Sequence, residues 1–353
     1  MDNCKYVGLD VHKAITVIAV INAAGQIESR AQIRTQSEPL KAFFRGLGGS
    51  VRVALEEGTQ SMWLYHLLKP LVTDVTVFDA RTLQRSPSEQ KSDDKDAENI
   101  ARSLKSGNLR PIFKGNPTQQ QLKELCRAYE NLVTDTVRAK NRLKSLYRAR
   151  GIACAGQGIY RPDKRAEFVA KLPDEASRFR AESLLDQLAA LRQLHKKAKQ
   201  RFTQQARKHP DFARLFSVPG FGEVRVGQML AIIGTPHRFR TKRQLWPYAG
   251  LSVVTRSTAD YQERDGSIVK TRKKVATRGL NPNHNPHLKQ VFKGAAITAL
   301  SSQEIRAYYD QQLAAGSNAA IARVMVARKL ASITLTLWQR QEEYDPSKVA
   351  SNS

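Results

Sequence analysis

Tyr6-Val7-Gly8-Leu9-Asp10 and Ile15-Thr16-Val17-Ile18-Ala19-Val20-Ile21-Asn22 are apolar runs, the second rich in β-branched residues, and with Ile27–Arg34 they read as three consecutive strands. The turn signal Ala24-Gly25 joins the second to the third. Ser37–Leu47 then reads as a helix, Val51–Glu56 as a strand, Gln60–Leu71 as a helix and Asp74–Asp79 as a strand. Three strands followed by alternating helix and strand make an α/β domain with a mixed sheet, in which the Asp10 strand sits centrally beside the Glu56 strand.

Four acids fall at the ends of these elements. Asp10 closes the first apolar run, Glu56 closes Val53-Ala54-Leu55, and Asp93 and Asp96 lie three apart where a helix begins. Two carboxylates at strand ends and an i, i+3 pair on one helical face can converge on a point. In a chain of formal net charge +26, such a cluster repels a phosphate backbone unless divalent metal sits between them. Oxygen donors suit Mg²⁺ or Mn²⁺, and paired metals clamp the attacking and leaving oxygens of a phosphoryl displacement. Glu57 and Asp94 adjoin two of these acids. Strand alternation puts Glu56 and Glu57 on opposite faces, so only one can reach the site; Asp94 points away from Asp96 on a helix, which favours Asp93. Taken singly, any of the four also fits a salt bridge or a helix cap, Asp93 above all.

The length of 353 residues suits two or three domains, and a hydrophobic fraction of 41% is enough for real cores. Lys+Arg 58 against Asp+Glu 32 calls for an extended polyanionic partner, with nucleic acid the leading candidate. Ile15–Ile21 is too short to span a bilayer and the N-terminus lacks a signal-peptide pattern, so a cytosolic protein with no membrane partner is expected. Cys4, Cys126 and Cys154 are scattered, which suggests neither a disulfide framework nor a zinc site.

From Pro117 to about Lys208 the chain turns to long polar helices. Gln120–Arg150 carries Leu122, Leu125, Tyr129, Leu132, Val133 and Val137 at helical spacing, followed by Arg138, Lys140, Lys144, Arg148 and Arg150. Asp174–Arg207 carries a leucine stripe from Leu184 to Leu194. Such a pair forms an antiparallel hairpin or an oligomerisation arm, and each charge run by itself reads as a solvated helix face. From Leu215, Val218-Pro219-Gly220-Phe221-Gly222 and the helical Val224–Ile233 resemble a helix-hairpin-helix turn. The amides of Gly220 and Gly222 could hold a phosphate oxygen, although Pro-Gly is also an ordinary turn.

Gly8-Leu9-Asp10-Val11-His12-Lys13, Leu55-Glu56-Glu57-Gly58, Lys91-Ser92-Asp93-Asp94-Lys95-Asp96-Ala97 and Tyr248-Ala249-Gly250-Leu251 occur in the order and spacing of one family. From Tyr6 to about Trp338 the chain resembles the DEDD insertion-sequence transposases, the bridge-RNA-guided recombinases. The resemblance implies a RuvC-like (ribonuclease-H-like) α/β domain at 1–112, a helical coiled-coil arm at 113–210 and a mainly α transposase domain at 211–345 that supplies a serine nucleophile. It makes Asp10, Glu56, Asp93 and Asp96 the metal ligands, its register selecting Glu56 over Glu57. The serine is expected in Thr255-Arg256-Ser257-Thr258-Ala259-Asp260. Counted from Leu251, the family's serine position holds Thr258, Ser257 comes one residue earlier, and Ala259 replaces the glycine that normally follows. Ser257 is the choice because a primary hydroxyl is the less hindered nucleophile, with Thr258 the alternative. Arg256, Arg264, Arg272, Lys273 and Lys274 flank that segment and would hold the DNA backbone, or else belong to a solvated loop.

Two other constellations are set aside. His284 and His287 look like a metal pair, but Pro286 denies them a shared regular helix; Tyr308-Tyr309 lacks the Arg/His constellation of a tyrosine recombinase. The family implies a bacterial cytoplasmic, nucleoid-associated recombinase that uses Mg²⁺ or Mn²⁺ and a covalent phosphoserine. Its partners are donor and target DNA, a structured guide (bridge) RNA and further copies of itself as a dimer of dimers. A metal-dependent endonuclease or Holliday-junction resolvase would need the acids but no serine, and a nucleic-acid-binding scaffold would need only the positive surface.

Overall fold

The first three apolar runs form β1 (Cys4–Val11), β2 (Ile15–Ile21) and β3 (Ile27–Arg34), followed by α1 (Ser37–Gly46), β4 (Ser50–Glu56), α2 (Ser61–Leu68), β5 (Asp74–Phe78) and α3 (Asp93–Lys105). The computed structural model describes residues 4–79, 83, 93–112, 117–256, 261–264, 267–270 and 276–347. The chain divides into two units, Met1–Lys114 and Gly115–Ser353.

In the first unit the five strands form one sheet in the order β3-β2-β1-β4-β5. β1 is central, antiparallel to β2 and parallel to β4, so the sheet is mixed, as the run of strands requires. Alternation gives β1 two different faces. Val7 and Leu9, with Ile18, Val20, Val53 and Leu55 beside them, are buried against Leu40 and Phe44 of α1 and Leu64 and Leu68 of α2. The opposite face carries small residues. Ala19 and Val17 meet Ala97 of α3, and Ala54 shares a cluster with Ile100. At Gly8 the helix comes down onto the strand itself: a Cβ there would run into the Ala97 carbonyl oxygen and lie 2.6 Å from the Ala101 nitrogen. The helix is also pinned at its flank, where Arg30 Nε donates to Glu98 Oε1 at 2.7 Å and Arg102 Nη1 donates to the Gly25 carbonyl at 3.1 Å. This is the RuvC-like α/β arrangement.

The second unit begins with α4 (Pro117–Arg148), which is followed by α5 (Arg165–Ala170) and α6 (Glu175–Arg207). The end of α4 (Ala139, Leu143, Leu146, Tyr147) is buried with the start of α6 (Ala181, Leu185, Leu188), so the two long helices are antiparallel. Asp174 caps α6 by accepting from the Ser177 amide at 2.7 Å. The other end of the hairpin is rooted in the C-terminal helices. Leu122, Cys126, Phe202 and Ala206 belong to the same core as Leu215, Met229, Phe292 and Trp338, and Gln119 Nε2 donates to the Leu230 and Ala231 carbonyls at 2.6 and 3.1 Å.

That core is built from α7 (Phe212–Phe216), α8 (Glu223–Ile233), α9 (Lys242–Tyr248), α10 (Pro286–Thr298), α11 (Gln303–Ala314) and α12 (Ala319–Arg340). Between α9 and α10 lie β6 (Val253–Arg256), β7 (Tyr261–Arg264), β8 (Ser267–Lys270) and β9 (Ala276–Leu280); β6 pairs with β9 and β7 with β8, both antiparallel. Among the described residues no helix is long and apolar enough to cross a membrane.

The Gly8 contact sets a test of the fold. Gly8→Ala forces α3 off the sheet and should cost about 1–3 kcal/mol, the range for overpacking. It should appear as a lower urea midpoint with faster amide exchange in α3. Gly46→Ala, at a position with nothing within 4 Å of the added carbon, should be neutral by both measurements.

Candidate metal centre

Gly8 and Asp10 alternate onto the face of β1 that α3 covers, His12 follows the end of the strand, and the first turn of α3 presents Asp93 and Asp96. The three side chains Asp10, His12 and Asp93 converge there. Each offers a ligand atom within 4.8 Å of the others, and among the described residues no further such group occurs. His12 Nε2 lies 3.3 Å from Asp10 Oδ2 and 3.4 Å from Asp93 Oδ2, so the imidazole stands between the two carboxylates. The backbone of His12 is fixed from behind: Thr35 Oγ1 donates to its carbonyl at 2.9 Å and lies 2.9 Å from the buried Thr16 Oγ1.

Glu56 ends the neighbouring strand. Leu9 lies opposite Leu55 in the β1–β4 register, so the next residues, Asp10 and Glu56, close adjacent strands. Ala54 faces α3, and alternation gives Glu56 the same face and Glu57 the other. Asp96 is half-buried and Asp94 exposed. Neither Glu56 nor Asp96 belongs to the tight group of three, but the charge of Asp96 reaches Asp10. Burial pushes the Asp10 carboxyl above its ordinary range, the imidazole of His12 pulls it down, and the carboxylates of Asp93 and Asp96 push it further up.

His12 is the residue that sequence reasoning missed. Its signal was present: it stands two residues beyond Asp10, just past the end of the strand and inside the quoted Gly8–Lys13 motif. The donor set fits a divalent cation on its chemistry, since the carboxylates of Asp10 and Asp93 are gathered around one half-exposed imidazole, and a cation among them would offset their like charge.

In the second unit the Val218–Gly222 turn separates α7 from α8. Gly220 has φ +85°, and a Cβ there would run into the Ala295 carbonyl oxygen and lie 3.0 Å from Ala299 Cβ. This glycine is accounted for by packing on α10. Gly222 is exposed, with nothing within 4 Å of an added carbon. Gly250, at φ +64°, lies against the His284 ring, whose Nδ1 is 2.6 Å from the Asn281 carbonyl. His287 Nδ1 lies 3.2 Å from Glu130 Oε2. The two histidines therefore have separate partners. Arg256 ends β6 and Arg264 ends β7, while Ser257, Thr258, Arg272, Lys273 and Lys274 lie outside the described residues.

Comparison with known proteins matches two segments of the chain. A family model for DEDD transposases of the IS110 type matches residues 7–149, which span the first unit and α4. A second, described as transposase IS116/IS110/IS902 family, matches residues 213–310, from α7 into α11. A protein of Sinorhizobium fredii (strain NBRC 101917 / NGR234), y4qE, provisionally named a transposase, is 25% identical over 285 residues, which are 77% of this chain and 69% of that one.

The like charges around Asp10 predict how the metal-free protein behaves. A carboxyl whose folded pKa is raised binds more protons folded than unfolded, so its contribution is favourable below the unfolded value and is lost as pH rises through the folded one. At neutral pH Asp10→Asn should therefore raise the melting temperature of chelator-treated protein. Mn²⁺ should raise that of the wild type, by the equivalent of about 2.7 kcal/mol at about a hundred times Kd, and leave the variant unmoved. Equal shifts in both proteins would remove Asp10 from the metal set.

Proposed function

The chain belongs to the IS116/IS110/IS902 family of transposases, and on that premise we propose that it cuts and rejoins DNA through a covalent serine–phosphate intermediate assisted by Mg²⁺ or Mn²⁺. As a DNA transposase it acts on DNA strands. The observation that carries the metal-assisted reading is the meeting of Asp10, His12 and Asp93 at the mouth of the β1–α3 contact. Asp10 and Asp93, with Glu56 and Asp96 beside them, would hold the cation. Bound there, it supplies the positive charge that lets a phosphate approach an acidic cluster and polarises its P–O bonds. His12 orients the two carboxylates, and its place on a short, threonine-anchored turn limits how far it can move.

The nucleophile is assigned to Ser257, with Thr258 the alternative. The serine oxygen forms a bond to phosphorus and gives up its proton to a base, while the bond from phosphorus to the departing sugar oxygen breaks and that oxygen takes a proton. One phosphodiester replaces another, so the stored ester can be resealed to a different strand without an external energy source. Arg256, Arg264, Arg272, Lys273 and Lys274 would hold the DNA backbone beside it, with Gly222 offering a further amide at the start of α8. Formal charge +26 supports a second polyanion, which we assign as a structured guide RNA pairing with donor and target. Exchange between two duplexes requires several active sites, hence a dimer of dimers, with 113–210 as its arm and 211–345 as its nucleophile-bearing domain. Such an enzyme works on the nucleoid of a bacterial cytoplasm.

Labelled donor DNA, co-purified RNA and Mg²⁺, denatured after incubation, should yield a protein–DNA adduct mapping to the Ser257 peptide. Ser257→Ala and Asp10→Asn should abolish it, while Thr258→Ala, Glu57→Gln and Asp94→Asn should retain it. Loss with Thr258→Ala alone would move the nucleophile by one residue; free DNA ends without adduct in every variant would make the chain a metal-dependent nuclease.

Phosphate contacts should also dominate affinity. Binding of donor DNA should weaken by about a thousand-fold or more between about 50 and 200 mM salt if about six phosphates are neutralised. A flat response in a filter-binding titration would remove the basic surface from the account.

A further inference from the structure

α9, α11 and α12 enclose a groove of about 780 Å³ that shares no residue with the acidic centre. Its size falls within the range of small-ligand sites. Lys242 and Trp246 line it from α9, Tyr308 from α11, and Arg328, Lys329 and Arg340 from α12; the acids on its wall, Glu342 and Asp345, follow α12. The cations outnumber the acids, and three of them stand over aromatic rings. Lys242 Nζ and Arg328 Cζ lie 5.8 and 5.9 Å from the centre of the Trp246 ring, and Lys329 Nζ lies 5.3 Å from that of Tyr308. The indole is held in place by Nε1, which donates to the Arg328 carbonyl at 3.2 Å.

Two features set this apart from an ordinary basic surface. Burial pulls the half-buried Lys329 ammonium below its usual range and the charge of the exposed Lys242 pulls it further, so two like charges stand close together on the groove wall. An anion placed against both would relieve that repulsion. The groove is also tied to the segment that leads to the proposed nucleophile. Arg328 Nε donates to the Leu251 carbonyl at 2.5 Å, and the chain runs from Leu251 through β6 to Arg256, the residue before Ser257.

We infer that this groove holds one unstacked nucleotide of a single-stranded nucleic acid, its base against Tyr308 and Trp246 and its phosphate against Lys242 and Lys329. Aromatic faces take any base and cations take the backbone, which is the combination that binds single strands without reading sequence. Through Arg328 a nucleotide so held would fix the strand beside the Leu251–Arg256 segment. The inference rests on the reading of the chain as a DNA-handling enzyme.

The test uses the full-length protein with fluorescein-labelled oligothymidylate and oligouridylate, followed by fluorescence anisotropy. Tyr308→Ala should weaken binding about tenfold while Tyr308→Phe keeps it, because stacking needs the ring and not the hydroxyl. Lys329→Gln should weaken binding and lower the salt slope by about one phosphate. Loss confined to the deoxyribose strand identifies the occupant as DNA, and loss confined to the ribose strand as RNA; either supports the site. Wild-type affinity for both strands in both Tyr308→Ala and Lys329→Gln would overturn it, as would bromouracil cross-links that map outside α9, α11 and α12. An adduct formed normally by the wild type in that case would leave the cleavage reading standing, so the two failures are distinguishable.

Discussion

The contact between Gly8 and the backbone of α3 is the constraint on which the acidic centre depends. Ala97 lies directly over Gly8, and from that point the two elements advance toward the same place. Two residues along a strand cover about 7 Å, and four residues back along a helix cover about 6 Å. Those steps lead from Gly8 to Asp10 and from Ala97 to Asp93, which is why two carboxylates more than eighty positions apart meet around one imidazole. Any side chain at position 8 lifts the helix and separates them. The alanines at 97 and 101, both fully buried, are the matching requirement on the helix.

The geometry gathers charge against the preference of the fold. Partial burial raises the Asp10 carboxyl most, and the charges of Asp93 and Asp96 raise it further. The helix N-terminus offsets part of this, since its unpaired amides favour negative charge in the first turn, and α3 begins with Asp93, Asp94 and Asp96. His12 offsets another part by standing between the carboxylates. The rest is strain of the kind sites carry when they are shaped for a ligand and not for stability. The sheet can tolerate it because its other face is closed by an apolar layer.

Much of this was legible in the sequence. Strand order and the mixed sheet followed from three consecutive apolar runs and the alternation after them; strand period put Glu56 and Glu57 on opposite faces, helix period favoured Asp93 over Asp94, and the choice of Glu56 came from the family register. What was not legible depends on contacts between residues distant in sequence. Gly8 reads as one more small residue in an apolar run until Ala97 is placed above it. Gly220 looks interchangeable with Gly222 until Ala295 closes the Cβ side of Gly220 and requires a glycine there for packing. His12 stood in the motif, but its role depends on where α3 starts. The groove joins Trp246 to Tyr308 and Arg328 across three helices, and no local period connects them; Tyr308 and its buried neighbour Tyr309 look alike in sequence and face different surroundings.

The two units carry different halves of the proposed chemistry. The carboxylates belong wholly to the first, and the hydroxyl segment follows β6 in the second. On that proposal a phosphodiester bound at the acids alone would lack the serine oxygen, and one held near Ser257 alone would meet a hydroxyl that is a weak nucleophile at neutral pH. Under the serine reading neither half cuts until both address one phosphate, so breakage is conditional on assembly with DNA. On that reading a strand would be opened only where a protein oxygen is already in place to keep its phosphate as an ester until a new strand arrives, which suits an enzyme that must not release free ends.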